Sequence, residues 1–330
     1  MLIGTGGAPE AYVALLACAP ALALAIDRVL GEPAARWHPV VWMGRYLSWA
    51  GARLAPLAGA PREPSDERTF WGAALAWCGA ASAVFALSWL LQAWVLEQPA
   101  WLATLALALF LKPLLAWAML HDEVLAVERA LGESLGAGRA QLARLVSRDV
   151  SQLSGHELRE SAIESLAENL NDSLVAPLFW FALLGLPGAA LFRFANTADA
   201  MWGYSGVHRL DGVARDWSWA GKWAARADDV LAWLPARITA VLIALLGGLR
   251  GLPRLPAEAA RTPSPNGGWP MAAMALALGV QLRKPGVYAL NPGARVPTPA
   301  DTLRACAIGS RCAMAASVLT CGVLLLMLAG

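Results

Sequence analysis

Four acidic residues, Glu160, Glu164, Glu168 and Asp172, recur at every fourth position of the stretch 160–172. On an α-helix that spacing stacks them along one face, where like charges four apart repel. A ladder of this kind needs a compensating partner, and Mg²⁺ or a cationic substrate supplies one. The competing reading is the solvated face of a surface helix. Against it, the ladder runs straight into an uncharged stretch that begins at Ser173, in a chain otherwise sparing with acid.

Further candidates lie downstream. Asn196 and Asp199 are three apart, on one helical face, and offer the oxygen donors a hard cation prefers; a polar cluster at a helix end reads the same way. Asp228 and Asp229 precede an apolar segment, where two acids suit the helix macrodipole without any further role. The stretch 264–271 (SPNGGWPM) is a turn-rich loop opening a helix. Its backbone amides could hold a phosphate or carboxylate, with a plain Pro/Gly linker as the alternative. Lys284 and Tyr288 can reach the same pocket. His38 has a Trp and an Arg beside it, although a lone histidine is more often structural. No GxxxxGK[ST] occurs, so a nucleotide is not held by a P-loop. The five cysteines show no CxxC spacing and are odd in number, which speaks against a zinc site or a disulfide framework.

The elements that carry these residues belong to a membrane protein. Of the 330 residues, 58% are apolar even with glycine left out, and only 15% are charged. Soluble domains reach about 45–50% with glycine included and carry about 25% charge. That excludes an ordinary soluble enzyme and a disordered chain, and a net charge of +2 excludes a nucleic-acid binder. The first eleven residues hold no Lys or Arg, so no secretory leader is expected.

A span takes about 20 apolar residues, and 11–26, 70–96, 101–120 and 312–330 meet that standard, with Pro20 and Pro113 bending the first and third. Two segments are ambiguous: 173–192, broken at Gly185-Leu186-Pro187-Gly188, and 230–249, with Pro235 and Arg237 near its start. Broken helices are tolerated at membrane depth where protein or a cavity surrounds them. Apolar spacing predicts helices over 122–135 and 137–146, and Ser154 with Glu157 forms a capping box for the next. No strand alternation is visible, and 253–268 reads as a linker.

Lys and Arg concentrate in cytoplasmic loops. The segment 27–69 holds six, the turn 97–100 none, and 121–172, 193–229 and 250–304 five, five and seven. If both ambiguous segments cross, 193–229 is stranded outside with its five charges. If both re-enter, every polar segment is cytoplasmic. The expectation is therefore an all-α, polytopic helical membrane protein, one domain over 1–330. It has four to six membrane segments, two of them broken and re-entrant, and 27–69, 121–172, 193–229 and 250–304 face the cytoplasm of a cell (inner) membrane.

Six stretches together resemble the integral-membrane adenosylcobinamide-phosphate synthases of cobalamin biosynthesis. They are 27–44 (DRVLGEPAARWHPVVWMG), 147–153 (SRDVSQL), 164–180 (ESLAENLNDSLVAPLFW), 194–204 (FANTADAMWGY), 225–240 (ARADDVLAWLPARITA) and 264–291 (SPNGGWPMAAMALALGVQLRKPGVYALN). They occur in family order and cover nearly the whole chain. Ser173 stands where many members have Gly, and Ala232 where Asn is common; neither removes a chargeable group. The resemblance implies an ATP- and Mg²⁺-dependent amide ligation of adenosylcobyric acid to (R)-1-amino-2-propanol or its O-phosphate. Transferred onto these motifs, it implies catalytic roles for Glu164, Glu168, Asp172 and Asp199. It implies metal ligation by Glu168, Asp172, Asp199, Asp228 and Asp229. Substrate contacts would come from His38, Arg148, Asp149, Asn169, Asn196, Asn266, Lys284 and Tyr288. Other membrane enzymes of late cobalamin assembly are the implied partners, beside the lipid bilayer. Two rivals remain on residue types alone: an Mg²⁺-dependent intramembrane prenyltransferase, and a transporter of a corrinoid or small amine.

Overall fold

The computed structural model describes residues 10–60, 66–249 and 251–329. The N-terminal stretch read for a leader, 61–65 of the first polar segment, and residues 250 and 330 lie outside the described residues. The fold is helical throughout, with two small β-hairpins. Five helical stretches are long and apolar enough to cross a membrane: Ala11–Leu30, Glu67–Leu96, Ala100–Glu133, Lys222–Gly247 and Pro299–Met327.

Prolines punctuate these helices as their chemistry requires. Helix α1 (Glu10–Ala17) gives way at Cys18 to α2 (Ala19–Leu30), with Pro20 in its first turn, where the missing N–H costs nothing. Helix α3 (Pro39–Leu54) starts the same way, with His38 Nδ1 accepting from Val40 N. After α4 (Glu67–Leu96) comes α5 (Ala100–Leu111), which tightens at Pro113 into a 3₁₀ turn, Lys112–Leu114, before α6 (Trp117–Glu133). The short α7 (Leu135–Leu142) follows, and α8 (Gly155–Leu170) opens on the expected box, Ser154 N donating to Glu157 Oε2 at 2.8 Å.

The two ambiguous segments behave differently. The first is broken as expected. Helix α9 (Ala176–Leu184) stops at Gly185, whose φ of +71° suits glycine, and α10 (Leu186–Trp202) turns back against it. Gln92 of α4 holds this turn, its Oε1 accepting from Leu186 N at 2.7 Å, and a Cβ on Gly185 would collide with the Gln92 amide. The second corrects the expectation. Helix α11 (Lys222–Gly247) is continuous through Pro235. Proline removes the N–H that would have reached the Leu231 carbonyl, and Trp180 Nε1 donates to that oxygen instead, at 3.0 Å.

Two further corrections concern polar stretches. The stretch 253–268 is no bare linker, since it folds α12 (Leu255–Ala259) before α13 (Gly268–Leu278). Strands β1 (Val207–Leu210) and β2 (Val213–Asp216) pair across Asp211-Gly212, both at positive φ, the dipeptide a two-residue hairpin turn selects. Strands β3 (Leu282–Lys284) and β4 (Tyr288–Leu290) make the second hairpin. Helix α14 (Pro299–Ala329) begins well before the expected span and closes the chain.

The four polar segments meet one another. Asp216 N donates to Pro56 O, joining 193–229 to 27–69. Arg193 Nη1 donates to Asp172 O at 3.3 Å, joining it to 121–172. Arg283 pairs with Glu160, and Thr302 donates to Glu128 at 2.9 Å, joining 250–304 to the same segment. The core beneath them is apolar and centred on α8, α9, α11, α13 and α14, with Phe181, Leu166, Leu170, Ile243 and Ala275 fully enclosed.

Candidate active site

The ladder ends where the helix that carries it changes pitch. Beyond Leu170 the α-helix widens into a π turn, Asn171–Val175, which leads directly into α9. The turn begins beside Asp172, whose charge still bears on Glu168 one turn below, and such turns are enriched at functional sites.

Each rung therefore has its own fate. Glu160, fully buried, is taken by Arg283 in a two-pronged pair, Nε to Oε2 at 3.0 Å and Nη2 to Oε1 at 2.9 Å. It anchors the β3–β4 hairpin to α8. Glu164, also buried, meets Arg148 Nη2 at 3.3 Å, and the same nitrogen donates to Ser161 Oγ at 2.5 Å. Glu168 lies against the backbone of Gly267, where a Cβ would come within 2.8 Å of Oε1, so the glycine lets the loop approach the carboxylate. Asp172 accepts from Asn171 Nδ2 at 2.8 Å, while the Asn171 carbonyl oxygen accepts from Thr239 on α11 at 3.0 Å.

Around Asp172 the structure gathers the acids from α10 and α11. Asn196 Nδ2 reaches Asp228 Oδ1 at 3.5 Å, and Asp199 lies close enough to Asp229 and Asp172 to feel both charges. Burial pushes the Glu168 carboxyl up to about 7, helped by Asp172 and Glu164 beside it. Burial likewise takes Glu164 to about 7, against the pull of Arg148. Asp199 rises to about 6, from burial first and then from Asp229 and Asp172. Burial and the Glu164 and Glu168 charges together hold the Tyr288 hydroxyl protonated far beyond its ordinary range. Glu164 and Glu168 open into a polar cavity of about 210 Å³ lined also by Arg148, Asn169, Lys284 and Tyr288. Asn169 is tied down by Nδ2 to Ser165 O at 3.0 Å, and Lys284 lies exposed at the rim.

Two expected contacts are placed elsewhere, and a third, Asn266, is taken up by its neighbours beside Asp229. Asp149 faces solvent and accepts from Ser151 N at 2.8 Å, capping its own turn. His38 sits in a separate cluster with Glu32 and Lys112. Asn266 is buried and fully engaged, donating to Asp229 O at 2.8 Å and accepting from Arg237 Nη1 at 2.7 Å. The loop amides offered for an anion are also occupied in part, since Ser264 Oγ accepts from Asn266 N and Gly267 N. That loop instead locks α13 to α11.

Among the described residues no three Asp, Glu, His or Cys side chains converge into a ready-made metal cage. The donor set nevertheless suits a hard cation. Glu168, Asp172, Asp199, Asp228 and Asp229 are all oxygen donors, the charges of their neighbours raise the proton affinity of Glu168, Asp199 and Asp228, and Mg²⁺ commonly keeps several waters and takes only one or two carboxylates. The sequence did not single out Arg193, which donates to the Asp172 carbonyl and Ser173 Oγ behind the π turn. Its only signal was a lone cation inside an otherwise uncharged segment.

The family model of the CobD/Cbib proteins matches residues 20–311. The chain belongs to this family. Among curated CobD/Cbib relatives, the probable cobalamin biosynthesis protein CobD of Methanothermobacter thermautotrophicus is 42% identical over 276 residues, 82% of this chain and 85% of that one. The probable CobD of Thermococcus kodakarensis is 39% identical over 86% of this chain and 87% of its own length. The cobalamin biosynthesis protein CobD of Rhodobacter capsulatus is 38% identical over 315 residues, 91% and 95% of the two chains. No solved structure matches. As a CobD/Cbib protein the chain has a role in cobalamin biosynthesis, and the matched residues include all the acids of the cluster.

Proposed function

We propose that this chain catalyses an ATP-dependent ligation of the adenosylcobyric acid propionate to (R)-1-amino-2-propanol or its O-phosphate. The observation that carries the reading is the junction of α8, α10 and α11, where Asp172, Asp199, Asp228 and Asp229 gather near Glu168, which with Glu164 opens into a small polar cavity bearing Arg148 and Lys284.

A carboxylate is a poor electrophile, so the acid must be activated before an amine attacks. Mg²⁺ bound by the α8, α10 and α11 carboxylates would neutralise charge on the transferring phosphoryl group. Arg148, fixed by Ser161 and Glu164, presents a guanidinium to anionic oxygens in the cavity. Lys284 adds a second cation from the rim, and both stand where negative charge develops. Glu164 is suited to take a proton from the incoming ammonium, since a carboxyl lifted to about 7 exchanges protons near neutrality. The polar segments that meet here are read as cytoplasmic, where ATP is available.

The test is a product analysis on purified protein. ADP release should require corrinoid, and ¹⁸O in the substrate carboxylate should appear in the released phosphate. Label in AMP would replace phosphorylation by adenylylation. Label in neither product would overturn the ligase reading.

A further inference from the structure

The motif 27–44 contributes no residue to the polar cavity beside Glu164 and Glu168, although Glu32 is near enough to act on Arg193 behind Asp172. It wraps a second cavity, of about 830 Å³, between α2, α3, α4, α5 and α10. Three of these helices, α2, α4 and α5, come from stretches long and apolar enough to cross a membrane. The cavity walls are hydrocarbon, among them Ala83, Val84, Leu91 and Phe194. Leu87, Leu109, Phe110 and Trp42 also line it and are exposed on the outside of the bundle.

One end of this apolar space is charged. Lys112, almost wholly buried, lies 2.9 Å from Glu32 Oε2 and 3.4 Å from Asp27 Oδ1. His38 Nε2 contacts the same Glu32 oxygen at 3.1 Å, and Asp27 Oδ2 accepts from Ala118 N at the start of α6. The other Glu32 oxygen, Oε1, is buried without a hydrogen-bond donor. Ionisable groups at membrane depth are costly and mark binding sites by default. At the mouth, Trp42 Nε1 donates to Arg36 O at 2.9 Å, and the Arg36 guanidinium lies 5.8 Å from the centre of the Trp37 ring.

We propose that this cavity holds one phospholipid with a primary-ammonium headgroup, its acyl chain along α4 and its ammonium at Glu32. The surroundings select the class. The walls open among side chains that lipid would bathe, so an acyl chain enters laterally. Two carboxylates against one ammonium and one imidazole repel an anionic headgroup. A choline headgroup has no N–H for Glu32, whereas a primary ammonium has three. The inference is independent of the ligase reading and concerns different residues.

Native mass spectrometry of delipidated full-length protein in detergent tests it, with dioleoyl phosphatidylethanolamine, phosphatidylcholine and phosphatidylglycerol added separately. One phosphatidylethanolamine should bind at least ten-fold more tightly than either other lipid. Glu32→Gln should bring phosphatidylethanolamine down to the phosphatidylcholine level. Ala83→Phe, whose new ring would project into the cavity, should abolish retention of all three; Ala80→Leu, one turn earlier, repeats the test should the first variant misfold. Equal binding of the three lipids, no retained lipid, or retention untouched in a folded cavity-filling variant would overturn the proposal.

Discussion

Glu160 and Glu168 share a helix and a charge, yet the structure gives them opposite energetic signs. Glu160 is satisfied by Arg283, itself one-third exposed. Glu160→Gln should therefore cost about 2 kcal/mol, below the roughly 3–5 kcal/mol of breaking a fully buried pair because solvent screens Arg283. A thermal melt would show it as a lowered Tm. Glu168 has the reverse balance. Its carboxyl rises from 4.5 to about 7 on folding, so the folded chain holds that proton more tightly than the unfolded one. Ionisation then erodes stability as pH climbs from 4.5 through 7. Without Mg²⁺, Glu168→Gln should raise Tm at pH 8, with the gain fading as pH falls towards 4.5. A lowered Tm at pH 8 would return Glu168 to a structural role. Activity should move the other way. Glu168→Gln and Asp172→Asn should abolish ligation at normal protein levels, and wild-type ligation should decline as pH drops through 7 and the cluster protonates. Full turnover in both variants would sink the catalytic assignment.

Elements position these residues through compensations that cross between helices. Pro235 strips a donor from the Leu231 carbonyl, and Trp180 of α9 supplies another. This bond helps tie the α9–α10 hairpin to α11 close to Asp228 and Asp229. Trp180→Phe should cost about 1–3 kcal/mol, the penalty for a buried acceptor left unpaired. Pro235→Ala restores an N–H inside the helix, so the Trp180→Phe cost should shrink in that background. Additive losses in a double-mutant cycle would show that the bond does not satisfy the proline defect. The π turn is the other positioning device. Thr239 accepts no role in the acid cluster, but its hydroxyl holds Asn171 and so fixes the turn that presents Asp172.

For the molecule as a whole, the decisive question is which side each polar segment occupies. α11 has the length to cross a bilayer, at 26 residues, about 39 Å of helix. Yet the chain that follows it returns to the polar segments that precede it, through Asn266–Asp229, Arg283–Glu160 and Thr302–Glu128. The start of α14 thus lies beside α6 at the same end of the bundle as the acidic site. We predict that cysteines placed at Lys222 and at Arg261, in a background without the native five, are both shielded from an impermeant thiol reagent in intact cells and both labelled after permeabilisation. Labelling at either site from outside would place α11 across the membrane.

The sequence by itself determined the apolar helical class, the proline-marked breaks at 18–20 and 112–116, the Ser154 capping box and the stacking of Glu160, Glu164 and Glu168 on one helix. These depend on local rules: apolar run length, proline geometry and four-residue spacing. The Asp211-Gly212 turn follows the same rules, but its strands, four residues each, are too short to show an alternating pattern. Only the tertiary structure decided which rung of the ladder is neutralised, since Arg283 lies 123 positions from Glu160. It also decided that Asn266 braces two helices and that His38 serves a separate charged cluster. Partners so distant in sequence leave no local pattern, because burial and counter-charge are fixed by packing between helices and not by spacing within one.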